Sequence, residues 1–360
     1  MEIQLVSTLP SYGSWDELSD AVVGARRLRR EPIWLGGLAC SLETSDAMYG
    51  EMLYELLRVL PSSADPSVPN GPVVPLRIVD VSDERLRNLV PVPDVGTVPY
   101  PDEGLFEIHR DAAVCVVSTE PGHGSRLERV PRGILIAMRA GEDDRDLLLH
   151  CLMVVLYRAL FHLGRIPLHA ASMEVEGLGV CLFVGDKGSG KSTLSLAFGR
   201  SGAVVLGEDH SMLHRRGDGF WVSGCDGRLR LTEKTERHFF KEPLDQVSQD
   251  IAGVPKKDVA LADHVSSRPF EDRRLDLIFF PRVGSVQRIE PITRTQSALR
   301  LLSTCSDRQR FVGLEDRLQY LDYLTALTEQ APSFDLELSP NLSDLAGFPE
   351  RLARRVCAES

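Results

Sequence analysis

The sequence contains no C-x-x-C pair and no apolar run long enough to span a bilayer. Its seven cysteines are scattered, and most lie inside apolar segments. This pattern is typical of reduced core thiols and not of disulfides or cysteine-ligated metals. The most apolar stretch, residues 147–157, is much shorter than the roughly 20 residues that a transmembrane helix needs. We therefore expect neither a membrane-spanning segment nor a membrane as partner.

Positive charge is also scarce. The chain carries 41 lysines and arginines against 52 aspartates and glutamates, a net charge of −11. Binding to a phosphate backbone needs concentrated positive charge, so we expect no nucleic-acid partner. A local exception is the arginine-rich segment 26–30, which is either a solvated helix end or a patch that docks a substrate. No basic segment followed by an apolar one comes after Met1, so we expect a cytoplasmic location.

One strong motif is present. The pattern G-x-x-x-x-G-K-[ST] is matched by Gly185, Asp186, Lys187, Gly188, Ser189, Gly190, Lys191 and Ser192, followed by Thr193. In such a loop the glycines let consecutive backbone N–H groups turn toward phosphate oxygens. The lysine and the hydroxyl serve the β- and γ-phosphates and Mg²⁺. The segment 185–193, called here the phosphate loop, therefore predicts a nucleotide site with ATP and Mg²⁺ as ligands.

The surrounding pattern fits that interpretation. Residues 178–184 have the length and apolarity of a buried strand, residues 192–200 continue as a helix, and residues 203–206 predict the next strand. Residues 166–175 predict a strand that turns back into residues 178–184. We expect an α/β fold with α+β tendencies. The alternative is a glycine-rich turn that binds no nucleotide.

Glu208 and Asp209 directly follow the strand predicted after the phosphate-loop helix. Open α/β sheets bind ligands at the carboxyl ends of their strands, so these carboxylates are candidates for a metal ligand or a general base. The buried strand predicted over 275–282 ends without a carboxylate, which leaves this pair as the best acidic candidates. The alternative is a solvated acidic turn.

For several basic residues the sequence allows two interpretations. Arg228 and Arg230 alternate along one predicted strand and either bind phosphate or are solvated. Lys256 and Lys257 form a basic turn that either reaches the nucleotide or an acidic substrate, or lies on the surface. His169, between two apolar residues, is by its type more often a core histidine than a functional one.

The length of 360 residues predicts two domains. We expect an N-terminal mixed α/β domain over 1–140 that recognises the substrate, a kinase-like catalytic domain with the phosphate loop over 141–345 and a C-terminal tail helix over 346–360. Further expected helices cover residues 15–30, 46–59, 86–95, 141–163, 295–302 and 314–328. Further expected strands cover residues 73–81, 104–110, 112–118 and 334–338.

The ordered set of His169, the phosphate loop and the Glu208-Asp209 pair resembles the catalytic domain of HPr kinase/phosphorylase. The core of that family is similar to phosphoenolpyruvate carboxykinase. The resemblance covers about residues 165–285 and rests on the two spacings that separate these three elements. It implies a divergent member, since Glu-Asp replaces Asp-Asp, His-Ala replaces His-Gly and the downstream signature is missing. HPr as substrate, phosphorolysis and a hexamer are therefore not carried over.

The resemblance also implies roles for single residues. Lys191 would hold the β- and γ-phosphates, and Ser192 with Asp209 would hold Mg²⁺. Glu208 would be the base that activates a substrate hydroxyl, with the roles of the two carboxylates interchangeable. His169 would lie near the phosphoryl group in transfer.

The expected function is that of a kinase that transfers the γ-phosphate of ATP to a hydroxyl, with serine as the favoured group. Its acceptor would be a protein, a peptide of a natural-product pathway or a small metabolite, and a homo-oligomer is compatible with the sequence. The first alternative is a regulatory or recognition module that binds nucleotide without transferring phosphate. The second, a mechanical or assembly ATPase, is weaker because the strand over 275–282 lacks a terminal carboxylate.

Overall fold

A computed structural model describes residues 29–35, 38–46, 48–49, 73–81, 97–99, 104–109, 113–119, 131–139, 148, 151–152, 160, 164–224, 227–244, 247–249, 255–268, 271–305 and 314–359. These residues form a mixed α/β protein with several sheets. The chain divides into two compact units, the first with residues 1–58, 62–164 and 310–313 and the second with residues 59–61, 165–309 and 314–360. The predicted domain ends at residues 140 and 345 stay predictions.

The described part of the first unit is a sheet of seven strands in the order β1-β2-β3-β7-β6-β5-β4. The strands are β1 (Arg29–Leu35), β2 (Leu38–Thr44), β3 (Val74–Val81), β4 (Thr97–Pro99), β5 (Gly104–His109), β6 (Ala113–Thr119) and β7 (Pro131–Arg139). β2, β3 and β7 are parallel neighbours, and the other pairs are antiparallel. Burial of the apolar side chains of β3 and β7 is nearly complete, as expected for central parallel strands.

The strands predicted over 73–81, 104–110 and 112–118 are confirmed as β3, β5 and β6. The prediction that the arginine segment ends a helix was wrong for Arg29 and Arg30, because both begin β1 and pair with β2. Apart from Arg29, Arg30, Asp46, Met48 and Tyr49, the helices predicted over 15–30 and 46–59 lie outside the described residues. The helix predicted over 86–95 and most of the helix predicted over 141–163 also lie outside the described residues.

The second unit contains the remaining elements. Its strands are β8 (Arg165–Leu168), β9 (Ala170–Val175), β10 (Gly179–Val184), β11 (Val204–Gly207), β12 (Ser211–Arg216), β13 (Gly219–Gly224), β14 (Arg228–Leu231), β15 (Val247–Gln249), β16 (Pro255–Ala260), β17 (Arg273–Arg274), β18 (Leu277–Val283), β19 (Arg288–Pro291) and β20 (Ser333–Leu338). Its described helices are α1 (Lys191–Arg200), α2 (Glu233–Phe239), α3 (Arg294–Cys305), α4 (Leu314–Gln330) and α5 (Phe348–Glu359). None of the helices in the described ranges is both long and apolar enough to cross a membrane.

These strands form three sheets. The largest has six strands in the order β11-β9-β10-β18-β20-β19, the second has the order β17-β13-β12-β8, and the third has the order β14-β16-β15. In the largest sheet β10, β18 and β20 are parallel, whereas β9 is antiparallel to β10. The elements predicted over 178–184, 192–200, 203–206, 295–302, 314–328 and 334–338 and the terminal helix are confirmed.

Two predictions about the second unit were wrong. The strand expected over 166–175 is broken at His169, so that β8 belongs to the four-stranded sheet and β9 to the six-stranded sheet. The basic turn expected at Lys256 and Lys257 is part of strand β16, paired on both sides. Both errors concern which strand pairs with which, a property that hydrophobic periodicity does not contain.

Three aromatic rings form the centre of the core beside the phosphate-loop helix. Phe183 of β10 stacks on Phe279 of β18 with ring centroids 5.1 Å apart, and the ring of Phe198 of α1 meets it edge-on at 5.6 Å. All three side chains are fully buried. The aromatic group therefore fastens α1 to the two central parallel strands.

We expect Phe183→Ala to reduce the free energy of unfolding by about 3–5 kcal/mol, because it removes a ring packed on two sides and leaves a cavity. Urea unfolding followed by circular dichroism measures the change. The matched control is Leu299→Ala on the surface of α3, where the side chain is 60% exposed and the change should stay within about 0.5 kcal/mol. Equal effects of the two variants would contradict this packing.

A polar cluster lies on the four-stranded sheet. Asp272 forms an ion pair with Arg165 at 3.3 Å, and its carboxylate lies 3.4 Å from Nε2 of His214. Burial lowers the pKa of His214 to about 4, and the positive charges of Arg165 and Arg216 act in the same direction. The negative charge of Asp272 acts in the opposite direction. His214 is therefore neutral in the folded protein at pH 7 and resists protonation far below that pH.

A histidine pKa near 6.5 in the unfolded chain and about 4 in the folded chain means that the unfolded chain binds more protons between these values. Stability is then lost as the pH falls through this window. Between pH 7 and pH 5 we expect His214 to account for about 1–2 kcal/mol of that loss. Urea unfolding at the two pH values measures this contribution, and in His214→Gln the free energy of unfolding should fall by that much less between pH 7 and pH 5. The control His238→Gln, at an exposed position, should lose as much stability as the wild type.

Candidate functional site

The topology of the six-stranded sheet brings three polar segments to one edge. β10 and β11 are both antiparallel to β9, so their carboxyl ends meet the amino end of β9. The phosphate loop follows β10, Glu208 and Asp209 follow β11, and His169 directly precedes β9. Ala170 lies opposite Val184, which puts His169 next to the first residue of the phosphate loop. The three elements singled out in the sequence therefore share one edge.

Two of these segments are the places where the chain passes from one sheet to another. His169 joins β8 to β9, and residues 208–210 join β11 to β12. The antiparallel register is the same on both sides of the crossing, with Gly207 opposite Ser172 and Ser211 opposite Leu168. Residues 208–210 consequently lie opposite residues 169–171, and the hydroxyl of Ser211 donates to the Ala170 carbonyl at 2.9 Å.

The acidic segment is placed by a close approach of two backbones. A Cβ added at Gly224 would lie 1.8 Å from the Leu206 carbonyl oxygen, and one added at Gly207 would lie 2.6 Å from the Gly224 Cα. Only glycine fits at both positions without displacing the chain. The ends of β11 and β13 can therefore cross in contact, directly before Glu208.

The phosphate loop has the backbone that its glycines allow. Gly188 and Gly190 have φ values of 86° and 99°, in the left-handed region that favours glycine. A Cβ at Gly185 would lie 2.7 Å from the Ser189 hydroxyl oxygen, so this position is closed to larger residues as well. The first turn of α1 contains no acidic residue. The positive end of its dipole is thus available to an anion.

Lys191 lies at the centre of this loop. Its side chain is buried, and Nζ donates to the carbonyl oxygens of Gly185 at 2.6 Å and Asp186 at 3.1 Å. Burial lowers the pKa of Lys191, while Asp209, Glu208 and Asp186 act in the opposite direction. The acidic pair is therefore close enough to Lys191 to stabilise its charge in a largely dry environment.

Asp209 is the centre of a small group of titratable side chains. Its Oδ1 lies 3.1 Å from Nδ1 of His169, and its Oδ2 lies 3.6 Å from Nε2 of His210. These three side chains are about a quarter exposed, whereas Glu208 is only 2% exposed. Sequence reasoning gave no role to His210. Its position next to the acidic pair was the signal that could have found it.

The rest of the motif is divided between surface and interior. Asp186, Lys187 and Gly188 are exposed, and Ser192 is half-buried in the first turn of α1. Thr193 makes a hydroxyl contact of 3.0 Å with Thr235, which links α1 to α2. The ammonium of Lys256 also acts on that of Lys191, whereas Arg228 and Arg230 lie half-buried on β14.

The available metal donors are oxygens. No group of three or more His, Cys, Asp and Glu side chains suited to a metal ion occurs in the described residues. Ser192, Glu208 and Asp209 supply a hydroxyl and two carboxylates, the donor type that Mg²⁺ prefers. Mg²⁺ in nucleotide sites takes most of its ligands from phosphates and water, so this small protein set fits such an ion.

We expect Gly224→Ala to destabilise the protein by about 1–3 kcal/mol, because the added methyl group would overlap the backbone of β11. Gly219→Ala on the same strand is the matched control. Its Cβ would meet no atom closer than 3.5 Å, so its effect should stay within about 0.5 kcal/mol. Urea unfolding of both variants measures the difference, and a Gly224→Ala protein as stable as the control would contradict the close crossing.

Comparison with known proteins yields a likeness to solved structures only. No family model matches the chain, and no curated protein matches it. Among solved structures, the chain is similar to the Hpr(Ser) kinase/phosphatase from Coxiella burnetii, with 14% sequence identity and a TM-score of 0.28. That match covers 54% of this chain and 99% of the other. It is consistent with a distant relationship at most and carries no argument about function.

Proposed function

We propose that the protein is a kinase that transfers the γ-phosphate of ATP, with Mg²⁺, to a hydroxyl group of a protein, peptide or small molecule. The favoured acceptor group is serine. The observation that carries the proposal is the position of Lys191, buried in a phosphate loop and electrostatically linked to Glu208 and Asp209 from another strand. A cation for phosphate and carboxylates for metal and proton are the parts that phosphoryl transfer requires.

Lys191 would bind the β- and γ-phosphates. Its ammonium now donates to Gly185 and Asp186, so phosphate oxygens would replace these two carbonyl acceptors. Hydrogen bonds from an ammonium to a charged acceptor are stronger than those to a neutral carbonyl, which favours the exchange. The N–H groups of residues 186–191 and the amino end of α1 would hold the remaining charge.

Asp209 and Ser192 would hold Mg²⁺, which would neutralise charge on the phosphates. Asp209 is suited to this because its side chain is partly exposed at the edge of the sheet. Glu208, buried beside it, would take the proton of the acceptor hydroxyl. The hydroxyl oxygen would then bond to the γ-phosphorus as its bond to the β,γ-bridging oxygen breaks, and ADP would leave.

His169 would orient Asp209 and lie beside the group in transfer. Its Nδ1 faces Oδ1 of Asp209 at 3.1 Å, so the imidazole restricts the carboxylate to one orientation. The first 140 residues would recognise the acceptor. The role of His169 follows from its position beside Asp209.

The test is transfer of labelled γ-phosphate from ATP to a panel of serine peptides, hydroxyl metabolites and cell extract, read by mass spectrometry. We expect Lys191→Ala and Asp209→Asn to reduce transfer by about 10²-fold or more, the usual loss for a group that stabilises the transition state. Lys241→Ala, at an exposed lysine of the same unit, is the control. Undiminished transfer in both site variants would overturn the proposal.

The same assay separates the two carboxylates. A base variant should bind Mg²⁺ and nucleotide normally but transfer slowly, so Glu208→Gln should lower kcat alone. A metal-ligand variant should need more Mg²⁺, so Asp209→Asn should recover in part at high Mg²⁺. The reverse result would exchange the two roles. Tight ATP binding with no phosphorylated product from any acceptor would favour a regulatory nucleotide-binding module instead.

A further inference from the structure

Lys256 lies near the beginning of β16, in the middle of the three-stranded sheet. Leu231, the last residue of β14, is paired with Lys257, so Lys256 lies one step beyond the end of β14. At that point Thr232 begins α2, with its hydroxyl accepting from the N–H of Thr235. Lys256 is therefore next to the amino end of α2.

The amino end of α2 is joined to the phosphate-loop helix. The hydroxyl of Thr235 lies 3.0 Å from that of Thr193 and 3.1 Å from that of Thr232. Thr193 is two residues beyond Lys191 in the first turn of α1. These contacts bring the beginning of β16 to the side of α1 that carries the phosphate loop.

Lys256 and Lys257 point to opposite faces of their strand. Lys257 is used within the fold, because its ammonium donates to the Leu244 carbonyl and lies 3.8 Å from Glu236. Lys256 has no hydrogen bond or ion pair within the residues that the structure describes. Its side chain is half-buried, and its charge lies close enough to act electrostatically on Lys191.

Two ammonium groups that repel each other at a half-buried site are stabilised when an anion binds between them. The carboxylates of Glu208, Asp209 and Asp186 already act on Lys191. No carboxylate of the described residues forms an ion pair with Lys256. The missing counter-charge is the feature that a bound phosphate would supply.

We propose that Lys256 is a second phosphate-binding cation, which reaches from β16 to the terminal phosphate of a nucleoside triphosphate in the phosphate loop. The loop N–H groups and Lys191 surround the inner phosphates from one side. Lys256, from a separate sheet, would contact the outermost phosphate. This inference rests on the nucleotide binding of the proposed function and does not require phosphate transfer.

The experiment compares two nucleotides by isothermal titration calorimetry in the presence of Mg²⁺. The probes are ADP and the non-hydrolysable β,γ-imido analogue of ATP. We expect Lys256→Ala to weaken binding of the triphosphate analogue about tenfold or more, as for loss of one charge-assisted hydrogen bond, and of ADP less than about threefold. Lys256→Arg should keep most of the affinity, and Lys241→Ala should behave as wild type.

Circular dichroism and thermal unfolding identify any variant that is misfolded, in which case Lys256→Gln takes its place. Unchanged binding of the triphosphate analogue, or an equal loss for both nucleotides, would overturn the role of Lys256 alone. A wild-type protein that binds neither nucleotide would overturn the proposed function together with this inference. If the wild-type protein binds both nucleotides but transfers no phosphate, only the proposed kinase reaction is contradicted. The comparison of variants then still tests whether Lys256 binds the terminal phosphate.

Discussion

The site depends on two chain crossings between the same pair of sheets. β8 and β12 pair in one sheet, and β9 and β11 pair in the other. After an irregularity between Val205 and Gly207, the register of Gly207 with Ser172 is continued by that of Ser211 with Leu168. This arrangement is possible because Gly207 and Gly224 let two backbones touch. As a consequence, His169 and Asp209 lie in contact at the edge that also carries the phosphate loop. A residue with a side chain at either glycine would move the acidic segment away from that edge.

Electrostatics then set the state of Lys191. Burial disfavours its charge, the carboxylates of Glu208 and Asp209 favour it, and Lys256 disfavours it again. In a site of low dielectric constant, each of these effects is larger than it would be in water. An anion bound at Lys191 would reduce both the desolvation penalty and the repulsion between the two lysines.

The phosphate loop is not an isolated strand-loop-helix unit. Its helix is fastened to the central strands by the rings of Phe183, Phe198 and Phe279, and to α2 by the hydroxyl pair of Thr193 and Thr235. The last of these contacts brings a third sheet to the site. Rigid support of this kind would serve the proposed transfer reaction, since small displacements of reacting groups reduce a rate strongly.

The sequence by itself determined the local parts of this site. Glycines at 185, 188 and 190, an apolar run before them and a helical pattern after them fix a strand, a loop and a helix, because these preferences act between neighbouring residues. The rule that ligands lie at the carboxyl ends of strands placed Glu208 and Asp209 near the loop.

Only the tertiary structure decided the rest of the site. Residues 166–175 are apolar enough for one strand, and their hydrophobic pattern does not show that the chain passes at His169 from one sheet to another. The contact of His169 with Asp209 and the electrostatic effect of Lys256 on Lys191 join residues that are 40 and 65 positions apart. The burial of Glu208 likewise appears only in the folded unit. Such contacts depend on strand pairing and register, which are set by packing of the whole unit and not by local preference.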